Sequence, residues 1–263
     1  MGVTRLGIRT GETARAEAGI VAKRLEAELV VVAGAGDNDA LLTALRDGHV
    51  DTVLLPAGWS GSLGDEVTLA AVPKRRDARD ALTGSVPLDA LPAGARISVG
   101  SALRRAQLLG RRRDVEPVTD PDPDVDAEIT ALVALDDPDV AAEVFDLADW
   151  PTAPGQGALL LITRRGEQAV VSKADHRPSR LTVLVELAVL DRLGPVAGAT
   201  LAASAELADG LLFVSARLYD PDGGGHVTSS HALYPEDSKD PVAELAARVA
   251  DELLAQGAGK GRS

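Results

Sequence analysis

LDALPAGARISVGSALRRAQLLGRRR, residues 88–113, reads as a loop with Pro92 and Gly94, a short strand Arg96–Val99, a tight Gly100–Ser101 turn and a helix from about Ala102 to Gly110. Unpaired backbone N–H groups give a helix N-terminus partial positive charge and favour acidic residues there, yet the first turn carries Arg104 and Arg105. An anion is therefore expected nearby. Ser101, the free N–H groups and the two guanidinium forks would make a carboxylate or phosphate cradle. Equally, Ser101 could serve only as a cap, with both arginines solvated or paired to local carboxylates. The residues alone leave both readings open. Arg111, Arg112 and Arg113 sit at the other end, where cations suit the helix dipole, and are read as structural.

The whole chain of 263 residues is 45% apolar and contains no apolar run near the roughly 18 residues of a membrane span, which fits a globular protein away from the membrane. The first residues, MGVTRLGIRTGE, lack a basic stretch followed by an apolar one, so no signal peptide is expected and a cytoplasmic location follows. Zero cysteines exclude disulfides, thiolate metal sites and thiol nucleophiles. A formal charge of -13, with 40 acidic against 27 basic residues, argues against nucleic acid as a partner, and two each of Phe, Trp and Tyr are too few for a base-stacking platform. His226 and His231 are close in sequence, but their odd spacing puts them on opposite faces of a strand, so no metal site is expected.

Arg5–Thr10, Thr13–Glu26 and Leu29–Ala33 read as strand, amphipathic helix and buried strand, an opening that favours a parallel sheet with helices on its faces. Further strands are expected at Thr52–Leu55, Val67–Val72, Ile129–Leu135 and Leu159–Arg164, a helix at Val140–Leu147 and a charged connector over Lys74–Ala81. From about Pro178 the pattern changes to a long helix, Leu181–Leu193, then strands Thr200–Glu206 and Leu211–Leu218 around an Asp209-Gly210 turn, a strand near Val227–Leu233 and a helix Pro241–Gln256.

Four stretches, in this order, resemble the hydroxymethylbilane synthase (porphobilinogen deaminase) family: Arg5–Gly11, Arg76–Ala81, Leu88–Arg105 and Pro151–Ala158. The resemblance implies two hinged α/β domains of the periplasmic-binding-protein kind and a small C-terminal α+β domain. The corresponding boundaries are 1–95 with 158–174 for the first, 96–157 for a shortened second and 175–263 for the third. It implies a carboxylate-binding role for Arg9, although a structural pairing with Glu12 serves as well, and a ligand cradle of Ser101, Arg104 and Arg105, with Arg164 as a further candidate. It also places the family's catalytic aspartate at Trp59, and the cysteine that holds the dipyrromethane cofactor near Leu193, anchored on Gly198-Ala199. An indole cannot exchange a proton as a carboxylate does, and a chain without cysteine cannot form the thioether. No catalytic residue and no cofactor are therefore expected. The expected function is a family member that has lost hydroxymethylbilane synthesis, a pseudoenzyme that binds a small carboxylated ligand or a partner protein. The alternative is an active hydroxymethylbilane synthase of tetrapyrrole (porphyrin) biosynthesis with relocated catalytic groups.

Overall fold

A computed structural model describes residues 3–32, 34, 38–59, 62–120 and 122–257. The first part of the chain runs β1 (Arg5–Ile8), α1 (Glu12–Leu25), β2 (Glu28–Val31), α2 (Asn38–Arg46), β3 (Thr52–Pro56) and β4 (Val67–Ala71). The middle part runs β5 (Asp80–Gly84), β6 (Arg96–Val99), α3 (Ala102–Arg111), β7 (Glu116–Val118), β8 (Ala127–Ala131) and β9 (Ala141–Val144). There follow β10 (Leu159–Arg164), α4 (Arg177–Gly198), β11 (Leu201–Ala208), β12 (Leu211–Tyr219), β13 (His226–Leu233) and α5 (Pro241–Ala255). Two compact units result, Met1–Arg76 with Ala158–Arg180, and Asp77–Gly157 with Leu181–Ser263.

The first unit is a five-stranded sheet in the order β2-β1-β3-β10-β4. The β1-α1-β2 opening forms the expected parallel pair, β3 joins parallel to β1, and β10 returns antiparallel between β3 and β4. The apolar stripe of α1, Ala18, Val21, Ala22 and Leu25, shares one core with Leu6, Ile8, Leu54 and Leu161 of the strands. Because side chains on a helix recur at three and four residues, that stripe fixes which face of α1 is covered and leaves its N-terminus at the carboxyl end of β1.

The second unit holds two sheets. One is mixed, in the order β7-β6-β8-β5-β9, with a core that includes Leu82, Ile97, Val99, Leu108 and Ile129 and a stacked Phe145–Trp150 pair whose ring centroids are 4.6 Å apart. The other is the meander β11-β12-β13, whose inward residues Leu212, Val214, Ala216 and Leu218 form a core with Val185 and Val189 of α4 and Leu245, Val249 and Leu253 of α5. Its first turn is the expected Asp209-Gly210 hairpin, with φ of 50° and 81°, the pair of positive angles that matches the strand twist.

Two local expectations are corrected. Val140–Leu147 is not a helix: Ala141–Val144 pairs along β5 as an edge strand and puts Phe145 against Trp150, so sheet pairing overrides helical periodicity. Lys74–Ala81 is not wholly a connector, because Asp80 and Ala81 open β5. Since β5 pairs with β8 and β9, the chain changes unit after residue 76 rather than at 95. The small sheet expected in the C-terminal segment forms as β11-β12-β13 with its own core against α4 and α5, and the two compact units divide that segment after Arg180.

The glycine loop between β12 and β13 docks on α3. At Gly223, φ is +73° and an added Cβ would lie 2.5 Å from the backbone nitrogen of Gly110, so only glycine allows this approach. Gly223→Ala is expected to cost about 1–3 kcal/mol in urea unfolding, since backbone rather than a flexible side chain would have to yield.

Candidate functional site

Parallel strands in α/β sheets gather ligand groups at their carboxyl ends. In the first unit those ends are Ile8 of β1 and Pro56 of β3, and with Arg9, Ala14, Glu17, Leu54 and Leu159 they line one depression of ≈ 10 Å³. It has room for about one water, so a ring-sized ligand would seat at its mouth. Arg9 has no hydrogen-bond or ion-pair partner among the described residues, and the side chain of Glu12, the alternative partner, lies outside them. Glu17 is 15% exposed and accepts a hydrogen bond at 2.6 Å from Nη2 of Arg76, whose buried Nε has no partner among the described residues. A cation and a carboxylate therefore meet where the fold offers a ligand position.

Sequence reasoning missed Glu17, but the signal was there. The residue falls on the stripe Ala14, Ala18, Val21, Ala22 and Leu25 at the spacing of a buried face, and a charged residue in an apolar stripe demands a partner. Trp59 stands half-buried just after β3, its N–H bonded to the carbonyl of Pro56 at 3.1 Å, with no carboxylate in its side chain to offer.

In the second unit, α3 begins as expected. Ser101 adopts an extended conformation and its hydroxyl accepts from the Arg104 N–H at 3.2 Å, which makes it the N-cap. The anion expected beside Arg104 is Asp80. This carboxylate, 2% exposed, accepts from Arg104 Nη2 at 2.7 Å and Nε at 3.1 Å, from Trp150 Nε1 at 3.1 Å and from Gln156 Nε2 at 2.8 Å. Nearby, Asp77 pairs with Arg79 at 2.7 Å. Three of the family-like stretches thus converge on one buried carboxylate: Arg76–Ala81 supplies Asp80, Leu88–Arg105 supplies Arg104 and Pro151–Ala158 supplies Gln156. Their physical meaning is scaffold, a fully paired charge that locks β5, α3 and the crossing segment together. The crossing segment is pinned a second time, where buried Glu186 of α4 accepts from the N–H groups of Gly155 and Ala205, both at 2.8 Å.

The remaining candidates are likewise engaged within the chain. Arg105 donates to the carbonyl of Pro221 at 2.8 Å. Arg164 donates to the carbonyls of Leu45 and Val50 at 2.7 and 2.8 Å and pairs with Glu167 at 2.7 Å, tying β10 to the end of α2. Beside it, hydrogen bonds from Arg5 hold the Asp51 carboxyl below the usual carboxylate range, with Arg164 adding to the effect. Of the five residues expected to bind ligand, Arg9 has its guanidinium unpaired among the described residues, while Ser101 serves α3 as its cap.

The family described as "Porphobilinogen deaminase, dipyromethane cofactor binding domain" matches residues 4–172. Among similar proteins, the porphobilinogen deaminase of Leifsonia xyli subsp. xyli is 34% identical over 83% of this chain and 75% of its own. That of Acidothermus cellulolyticus is 30% identical over 98% and 90%, and that of Corynebacterium diphtheriae 31% over 97% and 97%. A periplasmic substrate-binding protein from Coxiella burnetii overlaps 65% of this chain and 92% of its own at TM-score 0.41 and 16% identity, too loosely to carry a conclusion.

The match corrects the expectation of no cofactor, because the matched domain is the one named for binding dipyrromethane. Thioether attachment does not fit the residues present: the chain has no cysteine, and Leu193, near the expected attachment point, is packed in the core between α4, α5 and the meander.

Proposed function

The chain belongs to the porphobilinogen deaminase family, and from that premise we propose that it consumes porphobilinogen as a hydroxymethylbilane synthase of tetrapyrrole biosynthesis, with Arg9 holding a substrate carboxylate and Glu17 handling the proton. The observation that carries this reading is that Arg9 and Glu17 line the same strand-end depression, the cation unpaired among the described residues and the carboxylate held by Arg76. A guanidinium grips a carboxylate through two parallel N–H bonds. A nearby carboxylate stabilises the positive charge that develops on a pyrrole nitrogen during condensation and can accept its proton. Glu17 then does from α1 what Trp59 cannot do from the end of β3.

A second reading has its own support in Trp59 and in the absence of cysteine: a family scaffold that binds a carboxylated ligand or a partner protein without making hydroxymethylbilane. Native mass spectrometry after incubation with porphobilinogen tests the first and separates the two. The proposal expects pyrrole mass to be retained by the protein, porphobilinogen to disappear with time, and retention to be lost in Arg9→Ala. Retention without consumption favours the second reading. No retained pyrrole in the intact protein overturns the binding role of Arg9.

A further inference from the structure

A cavity of ≈ 620 Å³ in the second unit lies between α3 and the outer face of the β11-β12-β13 sheet. That volume falls within the range of small-molecule sites. On β12 the residues between the buried positions, Arg217 and Tyr219, point away from α4 and α5 and form one wall, with the imidazole of His226 tilted against Tyr219 at 5.1 Å between centroids. The opposite wall is the C-terminal half of α3 with Arg113, whose Nη2 donates to the Gly223 carbonyl at 3.2 Å.

Two features mark this as more than a gap. Gln107 is 5% exposed and lines the cavity; its Nε2 donates to the Pro151 carbonyl at 2.7 Å, while its buried Oε1 has no partner among the described residues. Because a carbonyl can only accept, the amide cannot be turned to hide that oxygen, and an unsatisfied buried acceptor carries a desolvation cost that a ligand donor would remove. The second feature is an uncommitted cation. The Arg217 guanidinium has neither an ion pair nor a hydrogen bond among the described residues, and it lines the cavity with Arg113 and Asp149, while Arg111 of the same lining is paired with Asp89 and Glu143. His226 responds to the same surroundings, burial first and then Arg217 holding its pKa below the ordinary imidazole value.

We propose that this cavity binds a small polycarboxylate that also carries a hydroxyl or N–H donor, with Arg113 and Arg217 on the carboxylates and Gln107 Oε1 accepting from the donor. The site is separate from Arg9 and Glu17 and stands whether or not porphobilinogen is consumed. Isothermal titration calorimetry at low ionic strength tests it with citrate, which has a hydroxyl, and tricarballylate, which is the same tricarboxylate without one. Citrate is expected to bind once per chain and about tenfold more tightly than tricarballylate. Arg217→Ala is expected to weaken both by about tenfold, and Gln107→Leu to abolish the preference for citrate. Arg217 is on the outer sheet face, so its variant tests the site even if burial makes Gln107→Leu unstable. No saturable citrate binding up to about 10 mM, equal affinity for the two probes, or affinity unmoved by Arg217→Ala overturns the proposal.

Discussion

Glu17→Gln is expected to lower kcat for porphobilinogen consumption by about 10²–10⁴-fold, with KM changed far less. The substitution preserves size and leaves an oxygen to accept from Arg76, so the ion pair becomes a neutral hydrogen bond while the packing of α1 stays intact. What it removes is the negative charge and the ability to take a proton, at a position 15% exposed beside Arg9, where reduced solvent screening makes both count for more. Arg9→Ala should act in the opposite sense, raising KM more than it lowers kcat, because carboxylate binding is shared by ground and transition states. If Glu17→Gln turns over like the parent protein, Glu17 is only the structural partner of Arg76 and the proton is handled elsewhere.

Asp80→Ala should destabilise the protein by about 3–5 kcal/mol, the largest effect on stability of any substitution considered. Asp80 is 2% exposed and accepts from a guanidinium, an indole and an amide, so its removal leaves a charge and two neutral donors unpaired away from water. The loss comes from stranding Arg104 rather than from the net strength of the pair, and the double variant Asp80→Ala, Arg104→Met should therefore recover part of it. Urea unfolding of the two variants decides the matter. A loss below about 1 kcal/mol for Asp80→Ala, or no recovery in the double variant, would mean that the network is incidental to the fold.

Asp80 also shows how far the sequence could be read. The charge placement on α3 correctly demanded an anion beside Arg104, but one-dimensional spacing could not say whether it belonged to a ligand or to the chain; 24 residues separate Arg104 from the carboxylate that answers it. The β1-α1-β2 opening and the β11-β12-β13 meander were legible because each is set by local periodicity and turn chemistry. β9 was not, since Ala141–Val144 pairs with β5 across about sixty residues and carries a pattern that a helix could also use. Arg164 looked like a cleft arginine, yet the carbonyls it satisfies, at Leu45 and Val50, close the end of α2 and are visible only once the chain is folded. Glu17 is the reverse case: its place in the apolar stripe of α1 was readable, but the stripe was judged by its apolar members alone.

The most direct measurement is the product itself. Purified protein incubated with porphobilinogen should form hydroxymethylbilane, followed by its conversion to porphyrin on acidification and oxidation, at a rate that depends on Glu17. Porphobilinogen left unchanged under conditions where an active family member consumes it would contradict the assignment of Arg9 and Glu17 to that chemistry.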